Sequence, residues 1–319
     1  MPSLISLADL SGAELAALVT AASNWPTAQG RAARLLSGKI IGLYFGYPST
    51  RTRTAFSSAS LRLGAGIISY GPNDLQLATG ETEEDTGNVL APMLDCLVVR
   101  AGGDHARLLR LSADGRLPVI NAMNTVEHPT QAIGDLATMQ AHRGDLAGVR
   151  VLYSGEANST TMALALALMR VPAALLVIAA PAGYGFDAAT LGDISAQGAP
   201  AGARCVQVAA IDHIAGAGLE RPDFVYTAQW QTTGTSKPDP NWRAAFFPHF
   251  QVGEELMARW PDARVLHDLP ARRGEEISAQ VLDGPRSLAL AQARNKLAGA
   301  AASLVWALAG QEALARLSG

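Results

Sequence analysis

Apolar runs bounded by turn residues alternate along this chain with segments of helical periodicity. In the first half, the apolar runs predict strands over residues 39–45, 66–70, 96–99 and 118–121. Helical spacing predicts helices over residues 11–22, 54–64, 81–93, 104–111 and 129–142. The second half predicts strands at 149–153, 174–179, 203–208, 224–226 and 264–266, with helices at 160–169 and 287–308. Such alternation is typical of a parallel sheet covered by helices on both faces.

The length of the chain favours two domains. At 319 residues it exceeds what one hydrophobic core usually serves. We therefore expect an α/β protein of two doubly wound domains, each with a central parallel sheet flanked by helices. We expect the first domain over 1–143, with the C-terminal helix 287–319 packing back on it, and the second over 144–286.

Composition and charge exclude several functional classes. With 49% hydrophobic and 17% charged residues the chain is globular, and a net charge of -3 argues against nucleic-acid binding. The apolar stretch 162–180 is interrupted by Arg170 and Pro172, so it predicts a buried helix and strand and no membrane span. The first ten residues carry no basic region and include Asp9, which predicts a cytoplasmic protein.

Only two cysteines are present, Cys96 and Cys205. They lie far apart and lack a partner histidine pattern, so they favour buried free thiols over a disulfide or a zinc site. We expect neither a metal nor a cofactor.

The first strand is followed by a segment suited to binding an anion. Residues 49–53, Ser-Thr-Arg-Thr-Arg, fall at the N-terminus of the next predicted helix. Unpaired N–H groups and the helix dipole favour an anion there, and arginine adds a charged fork that fits phosphate oxygens. The alternative is an ordinary helix cap followed by a solvated basic turn.

Other strand ends carry similar chemistry. Arg100 ends the strand at 96–99, His128-Pro129-Thr130-Gln131 follows the strand ending at 121, and His267-Asp268-Leu269-Pro270 follows the strand ending at 266. A single histidine is more often structural than catalytic. In open α/β sheets, however, ligands bind beyond the carboxyl ends of the strands, so convergence at one edge favours a binding site.

These segments resemble a known family. Residues 49–53 resemble the carbamoyl-phosphate motif of the aspartate/ornithine carbamoyltransferase family, and residues 128–131 resemble its second signature. Further similarity extends over nearly the whole chain. The C-terminal half is more similar to the ornithine branch, because of 225–227, Trp230, Gly234 and 268–277.

The resemblance implies a carbamoyltransferase fold and a set of donor-side residues. Lys296 stands where the family usually has an arginine, and Gln76 would reach the phosphate from a neighbouring subunit, because family members are homotrimers with active sites shared between subunits. The implied catalytic residues are Arg51, Thr52, Arg100, His128 and Gln131. Carbamoyl phosphate would be bound by these five together with Ser49, Thr50, Gln76 and Lys296.

The implied acceptor side departs from the ornithine branch. Ala228 replaces an aspartate that holds the α-amino group, and Asp268 replaces a cysteine. Together these changes remove an anion from one end of the amine pocket and add one near the reacting end. The implied amine-binding residues are Asn158, Ser159, Ala228, Thr232, Thr233, Asp268 and Leu269.

The resulting expectation is an N-carbamoyltransferase that uses carbamoyl phosphate and a small amine other than ornithine. One alternative is an ordinary ornithine carbamoyltransferase, and another is an inactive homologue that binds carbamoyl phosphate. For Asp268 the alternative is a salt bridge with Arg272 or Arg273.

Overall fold

The computed structural model describes residues 2–231 and 236–318. It contains two compact units, residues 1–137 with 294–319 and residues 138–293. Each unit has one parallel sheet flanked by helices, so the predicted fold class is confirmed. The boundaries between the units, at 137/138 and 293/294, fall inside two long helices. The sequence instead predicts boundaries between elements, at 143/144 and 286/287.

The first unit is built on a four-stranded parallel sheet in the order 2-1-3-4. Its strand interiors are mostly buried, as expected for a sheet covered on both faces. The strands are β1 (Ile40–Phe45), β2 (Gly66–Tyr70), β3 (Cys96–Arg100) and β4 (Val119–Asn121). The helices are α1 (Gly12–Ala32), α2 (Thr50–Arg62), α3 (Glu83–Leu90), α4 (His105–Leu111) and α5 (Pro129–Arg143).

Helix α1 is ten residues longer than its periodicity predicts. A capping box of Ser11 and Glu14 starts it as expected. It then continues through Pro26 because Trp25 and Ala28 are buried. Burial of apolar side chains thus outweighs the hydrogen bond that a proline removes.

The second unit has a five-stranded parallel sheet in the order 7-6-5-8-9. Every residue of the strand Leu175–Ala179 is buried. Its strands are β5 (Arg150–Ser154), β6 (Leu175–Ala179), β7 (Arg204–Val208), β8 (Phe224–Thr227) and β9 (Arg264–His267). Its helices are α6 (Ser159–Leu168), α7 (Ala188–Gly198), α8 (Glu254–Ala258) and α9 (Ala279–Leu282), followed by the last helix of the chain, α10 (Ala289–Ser318).

Helix α10 has a break at Gly310, whose φ of 79° is outside the helical range. Among the described residues, α10 is the one helix long and apolar enough to cross a membrane, and 72% of its most apolar stretch is buried. The core helix of a globular domain has the same length and composition.

Candidate active site

The anion-binding segment lies at the N-terminus of α2, directly after β1. Ser49 is the N-cap residue, and its side chain makes no cap hydrogen bond. Thr50 is exposed, Arg51 is half-buried and Thr52 is buried. The segment therefore combines backbone donors, hydroxyls and a cation at one helix end, as the sequence predicts.

Arg53 turns back onto the strand. Its Nη2 donates to the carbonyl of Phe45 at 3.4 Å, and its guanidinium lies 5.0 Å from the centre of the Phe45 ring. This arginine braces the turn, whereas Arg51 is the arginine of the signature that sequence resemblance assigns to phosphate. Arg100 is in register with Phe45 on the adjacent strand, and its carbonyl accepts from the N–H of Gly46 at 2.8 Å. The anion segment and Arg100 thus belong to the same edge of the sheet.

His128 immediately precedes α5 and is buried, with 4% exposure. Burial lowers its pKa well below the ordinary value, and the positive charges of Arg100 and Lys296 lower it further. The imidazole is therefore neutral at pH 7, with one nitrogen as donor and the other as acceptor. Its Nδ1 is buried without a hydrogen-bond partner, which makes that atom available to a ligand.

The backbone of His128 is held through its neighbour, Glu127. This carboxylate is fully buried and accepts from the hydroxyl of Ser6 at 2.5 Å and from the N–H of Leu7 at 2.8 Å. The Oδ1 atom of Asn124 accepts from the N–H of Glu127 at 2.8 Å. A buried charge is stable only with such partners, so the N-terminal segment fixes the loop that carries His128.

Gln131 is the centre of a buried polar network. Its Nε2 donates to Asp135 at 2.6 Å, and its Oε1 accepts from the ammonium of Lys296 on α10. The two helices come close because Gly134 has no side chain: a Cβ there would lie 3.0 Å from the carbonyl oxygen of Asn295. Lys296 therefore orients the Gln131 amide, in addition to placing a positive charge beside His128.

Gln76 lies on an exposed 3₁₀ turn, Gln76–Thr79, within the first unit. Its Oε1 accepts from the hydroxyl of Thr79 at 2.6 Å. The side chain of Gln76 is on the surface.

In the second unit, three neighbouring strands end at the same level. Ser154 of β5 is in register with Thr227 of β8, which is in register with His267 of β9. The Thr227 hydroxyl donates to the Ser154 carbonyl at 2.7 Å. The residues that follow these three strands therefore share one edge of the sheet, which is where α/β proteins bind ligands.

Asn158 and Ser159 begin α6 beside this edge. The Oδ1 atom of Asn158 accepts from the N–H groups of Thr160 at 2.9 Å and Thr161 at 3.2 Å, so Asn158 caps the helix. Its amide nitrogen is not used by the cap. Ser159 is buried, with 5% exposure.

The segment from His267 to Leu269 is fixed by a buried hydrogen-bonded pair. The Nδ1 atom of His267 accepts from the N–H of Leu269 at 2.8 Å, so Nε2 carries the proton and donates to Glu276 at 3.0 Å. His267 and Glu276 are both fully buried. Leu269 has a φ of 52°, a strained value for a residue with a side chain, and its hydrogen bond to His267 stabilises that conformation.

The carboxylate of Asp268 contacts the first turn of α6. Its Oδ2 accepts from the hydroxyl of Thr160 at 3.0 Å. Arg272 pairs with Glu275, and Arg273 makes two hydrogen bonds to Asp283. The alternative of a salt bridge between Asp268 and one of these arginines is therefore wrong.

The remaining predicted acceptor residues are Ala228, Thr232 and Thr233. Ala228 is buried, with 2% exposure, at the end of β8. Thr232 and Thr233 lie outside the described residues.

Comparisons with known proteins agree with this geometry. The model of the carbamoyl-P binding domain of aspartate/ornithine carbamoyltransferase matches residues 3–141, and the model of its Asp/Orn binding domain matches residues 147–307. This chain belongs to the aspartate/ornithine carbamoyltransferase family. It is accordingly an enzyme of the carbamoyltransferase class, and the sequence-based recognition is confirmed.

Individual relatives within the carbamoyltransferase family are similar over nearly their whole length. The chain is 39% identical over 298 residues to an ornithine carbamoyltransferase of Parafrankia sp., covering 91% of this chain and 90% of that protein. It is 36% identical over 300 residues to one of Nitrosococcus oceani, covering 93% and 94%. The solved ornithine carbamoyltransferase of Pyrococcus furiosus superposes with a TM-score of 0.88 at 32% identity, covering 97% of each chain. These similarities do not support the expectation that ornithine is excluded.

One feature of this carbamoyltransferase was not predicted from its sequence. Glu156, two residues after β5, forms an ion pair with Lys237. The Lys237 ammonium lies 4.9 Å from the ring centre of Tyr184 and 5.1 Å from that of Trp242. Burial raises the pKa of Glu156, whereas the lysine opposes that shift. The partners are 81 residues apart, so sequence alone offers no signal for the pair.

Across residues 2–231 and 236–318, no group of three or more His, Cys, Asp or Glu side chains is arranged to hold a metal ion. Cys96 and Cys205 are buried free thiols, as predicted.

Proposed function

We propose that this enzyme transfers the carbamoyl group of carbamoyl phosphate to an amine of ornithine, releasing phosphate and citrulline. The observation that carries the proposal is the donor-side edge of the first unit. There the N-terminus of α2 and Arg100 stand at the ends of registered strands, and a neutral His128 has an unpartnered Nδ1.

The donor-side groups match the charges of the reaction. A neutral amine attacks the carbamoyl carbon, a C–N bond forms, and the bond from that carbon to the phosphate oxygen breaks. Negative charge develops on the carbonyl oxygen and then on the departing phosphate. Arg51, Thr52 and a protonated nitrogen of His128 are the proposed donors toward that oxygen, and each is expected to contribute about 3 kcal/mol if it acts as an oxyanion-hole donor does.

The remaining donor-side residues hold the leaving group and the substrate orientation. Ser49, Thr50 and Arg100 bind the phosphate, and Gln131 binds the carbamoyl group in an orientation set by Lys296 and Asp135. Positioning two substrates in this way can contribute roughly 7 to 11 kcal/mol. The leaving phosphate takes the proton of the amine, so the proposal assigns no general base to the protein.

Ornithine is the proposed acceptor because the similar proteins reported above carry that name. The acceptor-binding residues proposed from the sequence are Asn158, Ser159, Ala228, Asp268 and Leu269, with Thr232 and Thr233 outside the described part of the chain. Two of these, Ala228 and Asp268, directly follow strand ends that are in register in the second unit.

Product analysis tests the proposal directly. Purified protein with carbamoyl phosphate and ornithine should release phosphate and form citrulline, identified by its mass. Arg51→Ala should abolish turnover, whereas Arg62→Ala, an exposed arginine in the last turn of the same helix, should not. Turnover by wild-type protein with other amines but not with ornithine would reject ornithine and keep carbamoyl transfer. Full activity of Arg51→Ala would reject the donor site.

We also propose a homotrimer in which Gln76 binds the phosphate at a neighbouring subunit's site. The exposed position of Gln76 on its 3₁₀ turn supports this role. Gln76→Ala and Arg51→Ala proteins should each be inactive, but hybrids assembled from both should regain activity, because some sites then receive both wild-type residues. Verified hybrids that remain inactive, or a monomeric mass in solution, would contradict shared sites.

A cytoplasmic location is proposed for the same enzyme. Cell fractionation with an antibody against the chain tests it, and recovery in a secreted or membrane fraction would contradict it.

A further inference from the structure

The ends of β8 and β9 are neighbouring positions on one sheet edge. Thr227 and His267 are in register, so the next residues, Ala228 and Asp268, leave the sheet side by side. Neighbouring parallel strands lie about 4.8 Å apart. A carboxylate at either position therefore serves nearly the same region beyond the edge.

Ala228 contributes no polar atom to this region, since it carries only a buried methyl group. Asp268 contributes a carboxylate whose side chain is 20% exposed. The resemblance to the ornithine branch implies the reverse arrangement there, with an aspartate at the position of Ala228 and an uncharged cysteine at the position of Asp268. The number of carboxylates at these two positions is the same in both arrangements.

The described surroundings of Asp268 leave its charge without a cation. The Thr160 hydroxyl donates to Oδ2 at 3.0 Å, but a hydroxyl is neutral. The Nδ1 atom of His267 is 3.6 Å from Oδ1, yet it accepts from Leu269 and has no proton to donate. Within residues 2–231 and 236–318, Arg272 and Arg273, which follow Asp268 closely in the chain, have other carboxylate partners.

We propose that Asp268 is an acceptor-binding residue that holds the second ammonium group of a diamine acceptor, the one that is not carbamoylated. This inference rests on the proposed carbamoyl transfer and names the substrate class for it: an amino acid or amine with two amino groups, of which ornithine is one. It also removes the conflict between Ala228 and an ornithine acceptor.

The choice between the two amines follows from charge. The reacting amine must be neutral to attack, and a carboxylate in contact with it would stabilise its protonated form. The second amine keeps its charge throughout the reaction, so a carboxylate binds it in the ground state and the transition state alike. Asp268 is therefore expected to govern acceptor affinity more than the rate of the chemical step.

The carboxylate is held in place on both sides. Thr160 lies in the first turn of α6, which Asn158 caps. The backbone around Asp268 is fixed by the His267 to Glu276 hydrogen bond and by the N–H of His267, which donates to Gln292 at 2.8 Å. Such support reduces the ordering that the acceptor would otherwise have to impose.

The test compares two acceptors and two variants. Ornithine and 5-aminopentanoate differ only in the α-amino group, and Asp268→Asn removes the charge while keeping the shape. In the variant, KM for ornithine should rise about 10- to 150-fold, the effect of losing one charge-assisted hydrogen bond, with kcat and KM for carbamoyl phosphate nearly unchanged. Wild-type enzyme should prefer ornithine to 5-aminopentanoate, and the Asp268→Asn variant should show no such preference. Asp283→Asn is the matched control, because Asp283 is an exposed carboxylate paired with Arg273.

A second substitution tests whether a carboxylate at position 228 can replace the one at position 268. Ala228→Asp in the Asp268→Asn background should lower KM for ornithine again, because it restores a carboxylate one strand away. This rescue separates a binding role of Asp268 from a merely structural one.

The outcomes distinguish this inference from the proposed function. Active wild-type enzyme with equal KM values in Asp268→Asn and Asp283→Asn would overturn the inference alone, as would an equal loss for both acceptors. If wild-type enzyme uses another diamine but not ornithine, the same comparison is made with that diamine and its mono-amino analogue. If it carbamoylates no amine, both proposals fail.

Discussion

In the first unit the groups available to a ligand are cations, helix N–H groups and a neutral imidazole, whereas in the second they are a carboxylate, a capped helix and a strained backbone turn. The proposed donor side keeps the motif residues on which the resemblance rests, at 49–53 and 128–131. The acceptor side keeps the strand ends but redistributes the side chains, with Ala228 and Asp268 as the example. The proposed donor and acceptor sites thus place different requirements on the side chains at their strand ends.

A phosphate site needs several positive groups in a fixed arrangement, and the proposed ones come from different elements. Arg100 ends β3, Arg51 lies in the first turn of α2, and Lys296 belongs to α10. An ammonium needs only one carboxylate within reach, so that carboxylate can come from either of two adjacent strands.

His128→Ala tests most directly whether His128 acts on the donor side. Loss of one oxyanion donor should lower kcat about 100- to 1,000-fold, with KM for ornithine little changed. Steady-state kinetics at saturating carbamoyl phosphate measures this effect. The control is His213→Ala, since His213 is exposed in the second unit. If kcat were unaffected and only the acceptor KM rose, the assignment of His128 to the donor side would be wrong.

Glu276→Ala tests whether the segment from His267 to Leu269 serves the acceptor side specifically. It removes the buried acceptor of His267 and of the Arg272 N–H, which is bonded at 2.6 Å. Unfolding in denaturant should show a loss of about 1 to 3 kcal/mol, because buried donors are left unpaired. KM for ornithine should rise while KM for carbamoyl phosphate stays constant. An equal rise in both would mean that the segment from His267 to Leu269 is not specific to the acceptor.

Lys296→Gln tests how the donor side tolerates a lost charge. The variant keeps a hydrogen-bonding group beside Gln131 but removes the cation near His128. We expect KM for carbamoyl phosphate to rise about tenfold, on the scale of one hydrogen bond to a charged group. Lys296→Arg should retain most of the affinity. Isothermal titration with carbamoyl phosphate checks both variants, and unchanged affinity in Lys296→Gln would limit Lys296 to a packing role.

The smallest expected effect is a pH dependence of stability from His128. Its pKa is lower in the folded chain than in the unfolded chain, so the unfolded chain binds more protons below about pH 6.5. The contribution to stability is complete above that pH and is lost as the pH falls toward the folded pKa. Denaturant unfolding of wild type and His128→Asn should therefore give a shallower acid loss in the variant. Parallel curves would indicate that His128 is protonated in the folded state.

The strands were predictable to within about a residue because parallel strands read as apolar runs between turn residues. Helix α7 was missed: it begins at the Asp187 cap, but only Ile194 and Gly198 are buried along it, so its apolar periodicity is weak. The extension of α1 beyond Ala22 was missed because tertiary burial of Trp25 overrides the proline signal.

Most of the proposed donor-site residues could be named from the sequence because they lie within two short contiguous motifs, 49–53 and 128–131. The partner of Lys296 and the ion pair of Glu156 with Lys237 depend on contacts between distant segments, which composition and periodicity do not encode. The adjacency of Ala228 and Asp268 depends on strand order and register, so the sequence suggests opposite ends of a pocket where the sheet has neighbouring positions.

The burial of Glu127 has a practical consequence for handling the enzyme. Its two hydrogen bonds from Ser6 and Leu7 cross about 120 positions of the chain and end one residue before His128. A tag, linker or proteolytic cut that disturbs the first ten residues would expose or unpair that carboxylate. We expect such damage at the amino end to weaken the use of carbamoyl phosphate, because it would disturb the loop that carries His128.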